Sequence, residues 1–280
     1  MPTISLAIQK GGSGKTTTAI NLAAALRRLG RSVLLVDLDP QANLTHSLGI
    51  TDEGGDRANI YHLLRTEMEG GEADINSILT ITSSGQALLP AGLELADAEL
   101  ELVATYGREH IIKRLLAPLA DRYDYVLIDC PPAIGMLTVN ALVASDYVIL
   151  PLQAEYLPIK GLESYHRHHQ RLQRTLNPDL NVLGLVLSRF DRRKNMHERS
   201  RERLEAAYPG WLFPTVIRTN IALAEAQEAG MDVFSHAPAS NGAEDHLSLA
   251  YDVEQRIRRP NSPRSAATAA HPASKSRPPE

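Results

Sequence analysis

The chain has 280 residues, 43% of them hydrophobic and 22% charged, with a formal net charge of −4. That length suits one α/β domain or two small ones. The single cysteine, Cys130, excludes a disulfide framework and a multi-cysteine metal site, and no apolar run approaches the roughly 20 residues that span a bilayer.

Residues 4–8 read as a first strand and leave no room for a signal peptide, so the cytoplasm is the expected location. Gln9-Lys10-Gly11-Gly12-Ser13-Gly14-Lys15-Thr16-Thr17-Thr18 follows, and residues 16–29 read as a helix. Strand, glycine loop and helix present backbone N–H groups and a helix N-terminus to a phosphate chain. Lys15 can reach the β and γ phosphates, and the Thr16 hydroxyl can ligate Mg²⁺. Against the pattern G-x-x-x-x-G-K-[ST], Gly14, Lys15 and Thr16 fit. Gln9 stands where the first glycine belongs, and a second lysine, Lys10, precedes Gly11 and Gly12.

The next strand, 32–37, runs into Asp37-Leu38-Asp39-Pro40. The two aspartates share one face of an extended segment, and Pro40 stops the strand. A carboxylate here can orient or deprotonate water attacking a γ-phosphate; the alternative is a turn or N-cap aspartate. Asp37 is read as structural, an outer partner of the metal site at most. Helices are expected at 56–64 and 107–121 and a strand at 86–90. The strand 125–129 closes at Asp129, whose carboxylate is placed to hold Mg²⁺ through a water. Cys130 reads as a small buried side chain.

Helices at 136–144, 159–176, 196–207, 222–229 and 242–258 then alternate with strands at 147–150, 181–188 and 213–217. Near-continuous apolar strands alternating with helices imply an α/β fold: a single doubly wound, mostly parallel sheet with helices on both faces and its ligand at the strands' carboxyl ends. His166, His168 and His169 lack Cys or carboxylate partners at ligand spacing, and read as a solvated helix face. Residues 259–280, with five prolines, four serines and four Lys/Arg, read as a disordered tail after a domain spanning 1–258.

Charge is distributed unevenly. Residues 50–105 carry eleven Asp/Glu against two Arg, whereas residues 158–203 carry eleven Lys/Arg against five Asp/Glu. The second segment is a candidate surface for a polyanion.

The altered glycine loop resembles the deviant Walker A ATPases, most closely the ParA/Soj group of DNA-partition ATPases. The likeness includes Val33-Leu34-Leu35-Val36-Asp37-Leu38-Asp39-Pro40-Gln41, Tyr125-Val126-Leu127-Ile128-Asp129-Cys130-Pro131-Pro132 and Ala222-Leu223-Ala224-Glu225-Ala226, and covers residues 1 to about 258. It implies a P-loop NTPase with ATP and Mg²⁺ as cofactors and a weak, partner-stimulated ATPase activity. Asp39 takes the catalytic position, with Lys15 and Lys10; Lys10 is expected to cross an ATP-dependent homodimer to the partner's phosphates.

The same resemblance puts Lys10, Gly11, Gly12, Ser13, Gly14, Lys15, Thr16 and Thr17 on the phosphates, Thr16 and Asp129 on the metal, and Arg218 and Asn220 at the nucleobase. Arg218 and Asn220 also read as a surface charge and a cap. Non-specific DNA is expected on Arg189, Arg192, Arg193, Lys194 and Arg199, although an arginine common in the family is Ala222 here. A ParB-like stimulating partner and association with the nucleoid follow from the resemblance. With the glycine loop starting at residue 9, an N-terminal helix-turn-helix domain like that of the longer plasmid ParA proteins is not expected. Two rivals remain: a MinD-like membrane switch, disfavoured by a tail that is not amphipathic, and a P-loop small-molecule ligase or kinase. A redox role like that of nitrogenase iron protein needs more cysteines than this chain has.

Overall fold

Along each strand, alternate side chains enter two separate cores, because successive residues of an extended chain face opposite ways. In β1 (Thr3–Leu6), β2 (Val33–Asp37), β4 (Ala87–Leu89) and β5 (Tyr125–Asp129), one set (Ile4, Leu6, Val33, Leu35, Leu88, Leu127) packs on one face. Leu34, Val36, Leu89, Val126 and Ile128 pack on the other. A sheet buried on both faces needs apolar residues at nearly every strand position, as the sequence has. This computed structural model describes residues 1–51, 57–154 and 159–258, apart from the side chains of 159–161. The expected tail at 259–280 lies outside the described residues, as does Asp56, the start of one expected helix.

The sheet order is β3-β4-β2-β5-β1-β6-β7-β8, completed by β3 (Thr80–Ile81), β6 (Tyr147–Gln153), β7 (Asn181–Phe190) and β8 (Leu212–Arg218). All described pairings are parallel except the two-residue β3 against β4. On one face lie α1 (Lys15–Arg28), α2 (Asn43–Ser47), α9 (Ala222–Glu228), α10 (Val233–His236) and α11 (Asn241–Arg258). On the other lie α3 (Ile60–Met68), α4 (Leu95–Glu101), α5 (Ile111–Leu116), α6 (Met136–Ala144), α7 (Ile159–Thr175) and α8 (Asn195–Ala207). The doubly wound expectation holds.

Several boundaries differ. The helix expected at 56–64 is α3, which opens at Ile60 because the Asn59 side chain caps it, accepting from Tyr61 N at 3.0 Å. The single helix expected over 107–121 is three pieces, 3₁₀ at Arg108–His110, α5, and 3₁₀ at Ala117–Leu119 with Pro118 in its first turn. β6 runs three residues past the expected end at 150, carrying Pro151 inside a parallel ladder. The helices α2, α4 and α10 and the strand β3 are additions.

Candidate functional site

Register brings the key strand ends level: Leu6 of β1 and Asp37 of β2 both pair with Asp129 of β5. The glycine loop rises from β1 above them. Gly12 (φ 67°) and Gly14 (φ 95°) adopt backbone conformations that L side chains rarely accept, so glycine is required at both. Gly14 is the N-cap of α1, and no side chain caps that helix start. An uncapped first turn leaves N–H groups for an anion. The loop is fastened from outside: Ser188 Oγ at the end of β7 donates to Ser13 O at 3.0 Å, and Gln153 Nε2 at the end of β6 donates to Gly12 O.

Lys15 is buried, and its Nζ curls back to donate to Lys10 O at 3.2 Å. The Lys15 ammonium is thus held on the main chain of Lys10, a residue that is itself half-buried. Beneath them Thr16 Oγ1 donates to Asp129 Oδ2 at 2.6 Å. The other Asp129 oxygen is fully buried without a partner. Burial first, and the neighbouring Asp37 second, hold the Asp129 carboxyl well above the usual carboxylate range. A buried carboxylate with an orphaned oxygen beside a threonine hydroxyl fits a hard divalent cation such as Mg²⁺, which prefers oxygen ligands. Thr16 and Asp129 would hold it.

Asp37 is committed to the fold. It accepts from Asp39 N (3.1 Å), Thr45 N (2.9 Å) and Thr45 Oγ1 (2.7 Å), and burial pushes its carboxyl up to about 6. These bonds set the turn that delivers Asp39. Asp39 accepts from Gln41 N at 3.0 Å and stands on the wall of a cleft of about 720 Å³ shared with the glycine loop. The cleft thus brings together Gly11, Gly12, Ser13, Gly14, Lys15, Thr16, Thr17 and Asp39 with Arg218 and Asn220. Ile217, Ile221, Leu223 and Ala224 give it an apolar wall suited to a base.

Arg218 and Asn220 line the cleft, and each also makes side-chain bonds within the fold. The Arg218 guanidinium pairs with Asp245 and Glu244 of α11, each at 2.6 Å, and Asn220 Oδ1 accepts from Ala222 N at 2.9 Å at the start of α9. Sequence reasoning missed Gln153, Ser188, Gln227 and His246 around this cleft. Ser188 was within reach, since it lies at the carboxyl end of a predicted strand.

The residues assigned to DNA divide. Arg189, in a left-handed conformation (φ 51°), lies on the cleft wall. Arg192, Arg193, Lys194 and Arg199 are exposed on the turn after β7 and on α8. Asp191 pairs with Arg193 at 3.1 Å, which draws its carboxyl down to about 2. The buried His197 supports this turn, its Nδ1 accepting from Asp191 N at 3.0 Å. The histidine stretch of α7 is not a solvated face. His168 is exposed, but His169 is buried against Tyr165, and His166 packs on Tyr208 and Trp211. No cluster of metal-binding side chains occurs among the described residues.

The AAA domain family matches residues 1–182. The chain is 42% identical over 255 residues to the chromosome-partitioning ATPase Soj of Thermus thermophilus, covering 91% of this chain and 96% of that one. It is 40% identical to the sporulation initiation inhibitor protein Soj of Bacillus subtilis, covering 89% and 97%. Among solved structures, cobyrinic acid a,c-diamide synthase from Mycobacterium smegmatis with bound ATP analogue and magnesium is similar at TM-score 0.79 and 35% identity, covering 92% and 96%.

Proposed function

Because this chain belongs to the Soj/ParA group of AAA-domain P-loop ATPases, we propose that it is an ATP-operated dimerising switch that binds non-specific DNA and drives DNA partition. It is an ATPase, with ATP and Mg²⁺ as cofactors. The observation that carries the reading is the 2.6 Å contact of Thr16 with Asp129, under a loop in which the Lys15 ammonium sits on the Lys10 carbonyl.

When bound, Mg²⁺ offsets charge on the phosphates at the bond to be broken. The backbone N–H groups of Gly11 to Thr16 and the Lys15 ammonium hold the β and γ phosphates. Asp39 orients the attacking water and receives its proton. Lys10 extends to the phosphates of the second subunit, so dimerisation depends on the triphosphate. Arg192, Arg193, Lys194 and Arg199 contact DNA phosphates without reading bases, which makes affinity fall with salt. Arg189, on the cleft wall, serves the nucleotide instead. A ParB-like partner raises a slow turnover and returns monomers. The cytoplasm and nucleoid are the expected location, and no described helix is long and apolar enough to cross a membrane.

A second reading, a P-loop small-molecule ligase, has a specific observation behind it, the likeness to cobyrinic acid a,c-diamide synthase. DNA binding at two salt concentrations with ATP, ADP and no nucleotide separates the two, combined with the oligomeric state in a non-hydrolysable ATP analogue. DNA retention only with ATP, lost at high salt, and a dimer in the analogue are expected. A monomer at saturating analogue overturns the switch, and turnover that needs a small carboxylic acid and ignores DNA favours the ligase.

A further inference from the structure

Among the described residues, two that are not glycine hold a left-handed backbone: Ala42 at φ 50° and Arg189 at φ 51°. That region costs an L residue conformational energy, so one persists there only where the surrounding fold dictates it. At Arg189 the cause is an irregularity in the pairing of β7 with β8. Leu187 stands opposite Val216 and Phe190 opposite Arg218, so three steps on one strand match two on the other. Such a bulge bends its strand and re-aims a side chain. The residues on either side are fixed. Ser188 Oγ donates to Ser13 O at 3.0 Å, and buried Phe190 accepts at its carbonyl from Thr219 N at 3.3 Å. Glycine would adopt this conformation at least cost, yet the chain places an arginine there.

The side chain so aimed lies on the wall of the large cleft. The other cations of that wall have company: Lys15 Nζ is on Lys10 O, and Arg218 pairs with Asp245 and Glu244. Asp191, two residues on, is taken by Arg193. Among the described residues nothing hydrogen-bonds or ion-pairs with the Arg189 guanidinium. Its place along the cleft follows from its neighbours. Ser188 ties the chain to the phosphate loop on one side. On the other, Phe190 pairs with Arg218, beside the apolar wall of Ile217, Ile221 and Leu223 that suits a base. Between the terminal phosphates and the base of a nucleotide lie the α-phosphate and the ribose, and of these only the phosphate is charged.

We propose that, given the ATPase reading above and independently of its dimer and DNA steps, Arg189 binds the α-phosphate and is an anchor common to ATP and ADP. A guanidinium on that phosphate makes a charge-assisted bond that survives loss of the γ-phosphoryl group. Arg189 therefore acts on exchange: it keeps ADP in the cleft after hydrolysis and delays reloading with ATP.

Calorimetry of ATP and ADP binding to the full chain tests this, with Arg189→Gly and Arg189→Lys as variants. Arg189→Gly should weaken both nucleotides by the same factor, roughly tenfold or more, and should speed release of radiolabelled ADP into a chase of unlabelled ADP. Its Tm by circular dichroism should equal or exceed that of the wild type, since glycine accepts the left-handed backbone without strain. Arg189→Lys keeps the charge and should bind both nucleotides more tightly than Arg189→Gly. Affinities of Arg189→Gly within about twofold of wild type overturn the proposal and, if DNA retention falls instead, return Arg189 to the DNA surface. A loss confined to ATP also overturns it, by moving the guanidinium to the γ-phosphate. So does a loss that lysine does not recover at all, which makes the guanidinium a stacking plane for the base. Weaker binding with a lowered Tm overturns it as well, because the residue is then structural. A wild type that binds neither nucleotide strikes the ATPase reading and this assignment together, whereas tight binding by wild type and Arg189→Gly alike strikes the assignment alone.

Discussion

Acidification should loosen this fold through two buried histidines, and replacing one of them should remove about half of the effect. His169 is 3% exposed and both its ring nitrogens lack partners; His246 is fully buried on the cleft wall, with Nδ1 on Gly242 O at 2.7 Å. Burial pushes each imidazole down from 6.5 to about 4. A base with a lowered pKa in the native state protonates first in the unfolded chain. The stability it contributes is therefore complete above pH 6.5 and is lost as the pH falls toward 4. At pH 5 an unfolded histidine is almost fully charged and a native one about one-tenth charged, a loss of about 2 kcal/mol for each. In a domain of this size that corresponds to a fall in Tm of roughly 4–8 °C per histidine.

Asp37 works in the opposite sense. Its carboxyl is pushed up to about 6, so the native state holds that proton better and gains stability as pH falls from 6 toward 3.8. The wild-type curve alone is therefore ambiguous, and the variant difference is the useful readout. His169→Leu keeps a side chain of similar bulk against Tyr165 and removes the titration. Melts at pH 7 and pH 5, followed by circular dichroism, should show the wild type losing about 2 kcal/mol more than the variant over that interval. Equal losses in the two proteins would refute the buried, uncharged assignment of His169.

Four further outcomes test the site. Lys15→Ala should abolish triphosphate binding by calorimetry, and retained tight binding contradicts the loop assignment. Gly14→Ala forces an L residue to φ 95° with its Cβ 3.4 Å from Ser188 Oγ; a cost of about 1–2 kcal/mol and weaker ATP binding are expected, against an unchanged melt if the loop relaxes freely. Asp39→Ala should trap an ATP-bound dimer on size exclusion, and an unaltered turnover rate removes Asp39 from the chemistry. Charge reversal at Arg192 and Arg193 together should cut DNA affinity and its salt dependence yet spare ATP affinity; wild-type DNA binding that ignores salt is the opposing result.

The strands were legible because burial on both faces demands unbroken apolar runs, and 125–129 reads that way without any partner in view. The helix α4 was not, for an equally physical reason. Its apolar residues occupy two stripes, so no single face stands out at a period of 3.6. Pro151 hid the last turnings of β6, because a proline argues against a central strand until the partner strands are known. Charge misled at α7: three histidines among arginines look solvated, yet Tyr165, Tyr208 and Trp211 enclose two of them.

At the site, what the sequence revealed were groups whose chemistry is stated by their own type and spacing, such as Lys15, Thr16 and the strand-end Asp129. What it concealed were the groups that hold those in place. Gln153 reaches Gly12 across 141 residues of chain, Ser188 reaches Ser13 across 175, and Asn21 of α1 accepts from Val233 N across 212. No spacing rule spans such intervals. Yet the left-handed Gly12 and Gly14 need external support, because a glycine loop left to itself samples many conformations. The phosphate cradle is therefore a product of the second half of the chain as much as of its first eighteen residues. A change at Ser188 or Gln153 should reduce nucleotide affinity without touching a single motif residue.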